Sequence, residues 1–206
     1  MEKSSTESLT ANCQIHARAL VDEGAKIGER TRVWAFSHIL SGAVIGEDCN
    51  ICDHTFIEGK VVLGNRVTVK CGVYLWDGVT AEDDVFIGPA AVFTNDLKPR
   101  SRQIPAVYAQ TLLKHGCSIG ANSTIVAGTI IGAWSLIGAG SVVTKNVPDY
   151  GVVWGNPARF RYWICRCGER MNFEVSEEFV CRCGAIYQFN TEKEKVVYAV
   201  KRLSNS

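Results

Sequence analysis

From Cys13 onward the chain repeats its apolar positions every six residues. CQIHAR, ALVDEG, AKIGER, TRVWAF, SHILSG, AVIGED, CNICDH, TFIEGK, VVLGNR, VTVKCG, VYLWDG, VTAEDD, VFIGPA and AVFTND follow one another without a gap. The third residue of all fourteen is apolar: Ile15, Val21, Ile27, Val33, Ile39, Ile45, Ile51, Ile57, Leu63, Val69, Leu75, Ala81, Ile87 and Phe93. After Gly116, CSIGAN, STIVAG, TIIGAW, SLIGAG and SVVTKN put Ile119, Ile125, Ile131, Ile137 and Val143 in the same role. The residue two before each is small or β-branched, which suits a crowded bend beside a stacked core. A six-residue period is too long for strand alternation and too short for a pair of helices. Each hexad therefore predicts a short strand and a corner, and three hexads make one coil. Eighteen residues return the chain to the same side one strand spacing away, roughly 4.8 Å, and the aliphatic residues stack into a continuous interior.

The pattern divides the chain into an N-terminal extension over 1–12, a repeat block over 13–160 and a tail over 161–206. The apolar phase moves from Phe93 to Ile119, so a segment over 97–116, LKPRSRQIPAVYAQTLLKHG, is expected to leave the stack. Loops ejected from rigid scaffolds commonly carry function. In the tail, CRCG occurs twice, with Cys165 and Cys167 separated by thirteen residues from Cys181 and Cys183, ahead of AIYQF and KVVYAV. Two such pairs resemble the knuckles of a zinc ribbon, in which four thiolates hold tetrahedral zinc. The C-x-C spacing is tighter than the usual C-x-x-C, and a metal-free hairpin with reduced thiols is the alternative. Glu169, Glu174, Glu177 and Glu178 offset the tail's bases, favouring a structural unit over a nucleic-acid binder.

Composition narrows the picture further. A formal net charge of +1 offers no general basic surface for nucleic acid. The start MEKSSTESLTANCQ holds no apolar run resembling a secretory signal, and no stretch predicts a membrane span, so the expectation is a soluble cytoplasmic protein. In that setting the nine cysteines read as thiols or metal ligands rather than disulfides.

The coil length gives meaning to one interval. Asp77 in "WDG" and Asn95 in "TND" are eighteen residues apart, so they sit on the same outside corner in successive coils, where they can share a ligand. If the helix resumes where it left off, this column runs from Gly59 through Asp77 and Asn95 to Ala133 and Gly151, a groove for a long thin molecule; small residues are also simply common at corners. His54 closes its hexad with Gly72 and Ala90 above it and is the best histidine for a base, against a purely structural role. His115 ends the loop, whereas His16 and His38 receive no role. The histidine spacing does not resemble the zinc set of the γ-class carbonic anhydrases, which share this type of helix. Lys98, Arg100 and Arg102 in the loop are candidates for a diphosphate or a carboxylate. Lys145, Arg159 and Arg161 gather near the end of the last coil and could meet the phosphates of a coenzyme.

The hexads resemble the left-handed parallel β-helix of the hexapeptide-repeat acyltransferases. The handedness follows from that resemblance alone, since parallel crossovers are normally right-handed. More narrowly, CNICDHTFIEG, VKCGVYLWDGVTAEDDVFIGP, FTNDLKPRSRQ and VPDYGVVWGNPAR are similar to the sugar-nucleotide 3-N-acetyltransferases. The nearest resemblance is to the branch acting on UDP-2-acetamido-3-amino-2,3-dideoxy-glucuronate, which a cysteine-bearing tail favours. The resemblance implies a homotrimer making precursors for surface polysaccharide, with acetyl-CoA in the cleft between subunits and a nucleotide-linked amino sugar as acceptor. It implies Asp77, Asn95 and Asp96 around the reacting amine; His54 joins this catalytic set from its corner position, and Glu58, Lys98, Arg100 and Arg102 are the candidates for the substrate. Ala133, Ala139, Gly151, Lys145, Arg159 and Arg161 would line the coenzyme, and zinc would be structural. A dTDP-linked 3-amino-deoxyhexose is the alternative acceptor. A non-catalytic scaffold and a bifunctional nucleotidyltransferase are rivals; the latter would need a nucleotide-binding domain, and only twelve residues precede the repeats. An amine beside sugar oxygens should have a pKa near the α-amino value of about 8, so acyl transfer to it needs no strong base.

Overall fold

The computed structural model describes residues 12–173 and 176–201. The repeat block is an all-β parallel solenoid, a β-helix with three faces. Among the described residues its faces are sheets of ten, seven and six strands, and successive strands are three apart in sequence throughout the second and third sheets and in the first as far as Leu136–Ile137. The first sheet includes Asn50–Ile51, Thr68–Val69 and Phe86–Ile87. The second includes His38–Ile39, Phe56–Ile57, Tyr74–Leu75 and Val92–Phe93. The third includes Val44–Ile45, Val62–Leu63 and Val79–Ala81. Register is in step with the repeat, for Tyr74 pairs with Phe56 below and Val92 above. No described helix is long and apolar enough to cross a membrane.

Hexad chemistry explains the geometry. The third residue points inward, and Ile39, Ile51, Ile57, Leu75, Ile87, Ile119, Ile125 and Ile137 lose all solvent contact. The first residue is buried at the bend, where Thr31 and Ser37 turn their hydroxyls onto the carbonyls of Gly46 and Cys52. In most hexads the sixth residue takes the left-handed conformation: glycine in many, but Phe36 at φ 59°, His54 at 57° and Arg66 at 57° in others. A non-glycine residue there costs roughly 1–2 kcal/mol, which the stacked sheets must offset. Corners are tied together by side chains: Asp83 accepts the Asn65 amide N–H at 2.8 Å, and Asn65 in turn accepts that of Glu47 at 2.9 Å.

Two boundaries differ from the sequence expectation. Thr111–Leu113 is a strand of the third sheet, paired with Val79–Ala81 below and Ile130–Ile131 above, and Leu113 is wholly buried. TLLKHG is therefore a hexad of the helix, and the excursion spans 97–110 instead of 97–116. At the other end, Ala158–Ile164 runs antiparallel to Gly151–Gly155, which itself adds in parallel to Leu136–Ile137. The first sheet thus runs through the expected boundary at 160. Beyond it lies a separate three-stranded antiparallel sheet of Glu178–Val180, Ala185–Asn190 and Lys195–Lys201, with a small core around Met171, Tyr187 and Val196. The expected extension over 1–12 lies outside the described residues except for Asn12.

Candidate active site

The second sheet lies between two corners that carry most of the candidate residues. On its exit corner Glu58, Asp77 and Asn95 follow the strands Phe56–Ile57, Tyr74–Leu75 and Val92–Phe93. Asp77 is firmly held: one carboxylate oxygen accepts the Lys60 backbone N–H at 2.9 Å, and the other lies 3.7 Å from the Lys60 ammonium. Its own N–H donates to the Glu58 carboxylate. Glu58 and Asp77 therefore cement successive coils while presenting charge at the surface. Asn95 differs. Its backbone carbonyl accepts the Ala109 N–H at 3.3 Å where the loop returns, but its half-buried side-chain amide has no hydrogen-bond partner among the described residues. Asp96 folds back to accept the Lys98 N–H at 2.8 Å and so starts the loop.

Because TLLKHG belongs to the helix, the column above Asn95 is not the expected one. Phe93 pairs with Ile125, and Ile125 with Val143. The column is Gly59, Asp77, Asn95, Ala127 and Lys145. Ala133 and Gly151 fall elsewhere: the Ala133 N–H donates to Asp149 at 2.9 Å, and Gly151 is buried in its strand. Ala139 is exposed on the corner that carries His54, four coils above it. Lys145 and Arg159 do come together, lining a groove of about 300 Å³ with Thr144, Asn146 and Phe160. Arg161 points away, its guanidinium 4.8 Å over the Trp154 ring.

On the entry corner His54 stacks on Phe36, centroids 5.0 Å apart. Beside it a hollow of about 360 Å³ is lined by Phe36, His38, His54, Phe56, Tyr74 and Trp76. Thr55 also lines it, and its buried hydroxyl has no partner among the described residues. Sequence reasoning missed this aromatic wall and gave His38 no role. The signal was available: His38, Phe56 and Tyr74 are outward-facing second residues of hexads eighteen apart, hence stacked neighbours on one face. His38 is tied to Asp22 at 3.3 Å, and Phe56 meets Tyr74 and Trp76 at 6.3 and 5.4 Å.

The loop's basic residues are all exposed. Arg100 donates to the adjacent Pro99 carbonyl, and a bridge from Arg100 to Gln103 closes a turn holding Arg102 at φ 62°. Ile104 and Val107 are 85% and 80% exposed, unusually bare for aliphatic side chains. In the tail, Cys165, Cys167, Cys181 and Cys183 bring their sulfurs within 4.8 Å of one another.

Comparison with known proteins places this geometry. The family model for bacterial transferase hexapeptide repeats (six repeats) matches residues 24–59 and 111–145. The chain is 53% identical over 166 residues, 81% of this chain and 86% of its relative, to a dTDP-3-amino-3,6-dideoxy-alpha-D-galactopyranose 3-N-acetyltransferase of Aneurinibacillus thermoaerophilus. It is 32% identical over 140 residues to the bifunctional protein GlmU of Thermosynechococcus vestitus, covering 68% of this chain but 29% of that protein. A hexapeptide-repeat acetyltransferase of Vibrio cholerae O1 biovar eltor, solved with acetyl coenzyme A, superposes with a TM-score of 0.50 at 27% identity, over 68% of this chain and 70% of that one.

Proposed function

The chain belongs to the hexapeptide-repeat sugar-nucleotide N-acetyltransferases, and on that premise we propose that its acceptor is a dTDP-linked 3-amino-3,6-dideoxyhexose, acetylated at the 3-amino group from acetyl-CoA. The observation that carries this is the 53% identity with an enzyme named for that substrate class. It favours the alternative drawn from the sequence over the UDP-linked uronate.

In this reading the corrected column is the path of the coenzyme. Lys145 and Arg159 receive its phosphates, Ala127 leaves room for the thin pantetheine arm, and the thioester reaches Asn95 and Asp77. The free Asn95 amide orients the amine, and the Asp77 carboxylate, fixed by Lys60, stabilises the positive charge that grows as the C–N bond forms. The amine then loses its proton to water or to His54. The acceptor's ring and base occupy the aromatic hollow, and Lys98, Arg100 and Arg102 approach its diphosphate. Ile104 and Val107 pack on a neighbouring subunit of a homotrimer; light scattering that found a stable monomer at micromolar concentration would sink that part.

A coenzyme-release assay over dTDP- and UDP-linked 3-amino sugars tests the assignment. Turnover of the dTDP-linked 3-amino-deoxyhexose alone is expected. Turnover of the UDP-linked uronate alone would restore the other reading, and absence of acetyl-CoA binding in calorimetry would point to a scaffold. The coenzyme path makes a second prediction. Lys145→Ala should raise KM for acetyl-CoA about tenfold, as for a charge contact worth roughly 1.4 kcal/mol, with KM for the sugar nucleotide unchanged. A rise in the sugar nucleotide's KM instead would place Lys145 on the other substrate.

A further inference from the structure

The tail's four cysteines form a set that acetyl transfer does not use. Cys165 and Cys167 lie in the turn after Ala158–Ile164, Cys181 and Cys183 in the turn after Glu178–Val180, and the two turns are built alike. In each, the first cysteine's carbonyl accepts the glycine N–H, from Gly168 at 2.9 Å and Gly184 at 2.8 Å. In each, the first cysteine's N–H donates at 2.8 Å to the carbonyl four residues on, Glu169 or Ala185. Both glycines take positive φ, 92° and 83°, where a side chain would be strained. The C-R-C-G repeat of the sequence is thus a repeat of structure.

The two turns face each other. Sulfur separations are 3.5 Å for Cys165 and Cys167, 3.4 Å for Cys167 and Cys181, and 3.6 Å for Cys165 and Cys183. Four sulfurs about 2.3 Å from a tetrahedral zinc would stand roughly 3.8 Å apart, so the cluster has nearly the size such an ion needs. All four are free cysteines, two of them buried. We propose that Cys165, Cys167, Cys181 and Cys183 bind one Zn²⁺ as thiolates and that this ion fastens the tail to the end of the β-helix. Four S–Zn bonds form, the thiol protons pass to solvent and no electron moves.

The surroundings suit thiolates. The Tyr187 hydroxyl oxygen accepts the Arg166 N–H at 3.2 Å, leaving its own proton for the Cys165 sulfur at 3.1 Å. Zinc with four thiolates carries two net negative charges, and the middle residue of each turn is an arginine. Arg166 lies 4.3 Å over the Tyr198 ring and 5.6 Å over Trp134, a corner residue of the β-helix. Arg182 pairs with Glu169 of the facing turn at 2.6 Å. Tyr150, on the last coil, meets Tyr187 edge-on at 5.3 Å. The ligand set is thereby attached to the helix by Arg166 and Tyr187, and ordering it orders the junction.

Elemental analysis of the full chain, reduced and purified without chelators, should find about one zinc per chain. Cys165→Ser and Cys181→Ser should each lose most of it, while Cys13→Ser, outside the cluster, keeps it. Cobalt(II) added to stripped wild type provides a second reading that does not depend on the serine variants folding: the intense visible bands of a tetrahedral thiolate site are expected. Chelation should lower the thermal midpoint of wild type, since an ion bound only by the folded tail stabilises it. Reduced wild type that holds no zinc and gives no cobalt(II) thiolate spectrum overturns the proposal, as does mass spectrometry showing these cysteines paired as disulfides in freshly purified protein.

Discussion

Alanine in place of Asn95 is expected to lower kcat/KM by about 10², a loss of about 2.7 kcal/mol of transition-state stabilisation, with an unchanged thermal midpoint. The expectation rests on the contrast between two residues of one corner. Asn95 has a side-chain amide with no hydrogen-bond partner among the described residues, whereas Asp77 holds the Lys60 amide and ammonium. Asn95 can be truncated without touching the stack; Asp77 cannot. For Asp77 the informative change is to asparagine, which keeps an acceptor for the Lys60 N–H and removes the charge facing the developing ammonium. Since both groups meet one amine, the double variant should lose less than the two single losses combined. Steady-state kinetics with both substrates varied, alongside thermal melts, reads all three. His54→Ala is the control and should cost much less, because a sugar amine needs no strong base. If His54→Ala abolished activity while Asn95→Ala cost under threefold, a histidine-base mechanism would replace this one.

The largest expected effect on stability lies on the third corner, where glycines stack. A Cβ added to Gly28 would come within 2.5 Å of the Gly46 carbonyl carbon, and one added to Gly46 within 2.6 Å of the Gly64 carbonyl carbon. Their φ values are ordinary, so the requirement is for space, and the obstructing atoms are backbone that cannot turn aside. Gly46→Ala should therefore destabilise the helix by about 3 kcal/mol, near the upper end for overpacking. At roughly 2–4 °C per kcal/mol for a chain of this size, calorimetry should show a drop of about 6–12 °C. Gly72→Ala is the counterpart. It has positive φ, 72°, but nothing within 4 Å, and Ala90 directly above already adopts that conformation. Its cost should stay near 1 kcal/mol. Equal losses at the two sites would mean that the corners relax more readily than the stacked backbones suggest.

The solenoid was legible in the sequence because its core is written at one position in six, and every expected inward residue from Ile27 to Val143 is buried. The length of the interruption was not legible, for an arithmetic reason. A six-residue phase fixes the gap between Phe93 and Ile119 only to within a multiple of six, so one more hexad or one fewer leaves every other apolar residue in place. The pairing of Val79 with Thr111 shows that the loop is a hexad shorter than expected. That single hexad turned the upper column by one face, replacing Ala133 and Gly151 with Ala127 and Lys145. The Asp77–Asn95 pair lies below the interruption and was unaffected. The aromatic hollow was overlooked because its signal lies in outward-facing residues: His38, Phe56 and Tyr74 recur at eighteen, but Phe36, His54 and Trp76 join them from corner positions that the inward six-residue pattern does not mark.

The uniform coil also bears on how the chain finds its structure. Paired residues such as Phe56 and Tyr74 are eighteen apart in a chain of 206, about 0.09 of its length, and pairs spanning the loop, such as Val92 and Thr124, are thirty-two apart. Separations near 0.1 are typical of helical bundles, while sandwiches and barrels lie at about 0.16–0.22 and fold more slowly by orders of magnitude. An all-β protein with such short-range pairing can nucleate on any pair of adjacent coils and grow by adding eighteen residues at a time. The slowest step is then expected at the coils on either side of residues 97–110, where closing the turn means ordering fourteen extra residues before any new strand pair forms.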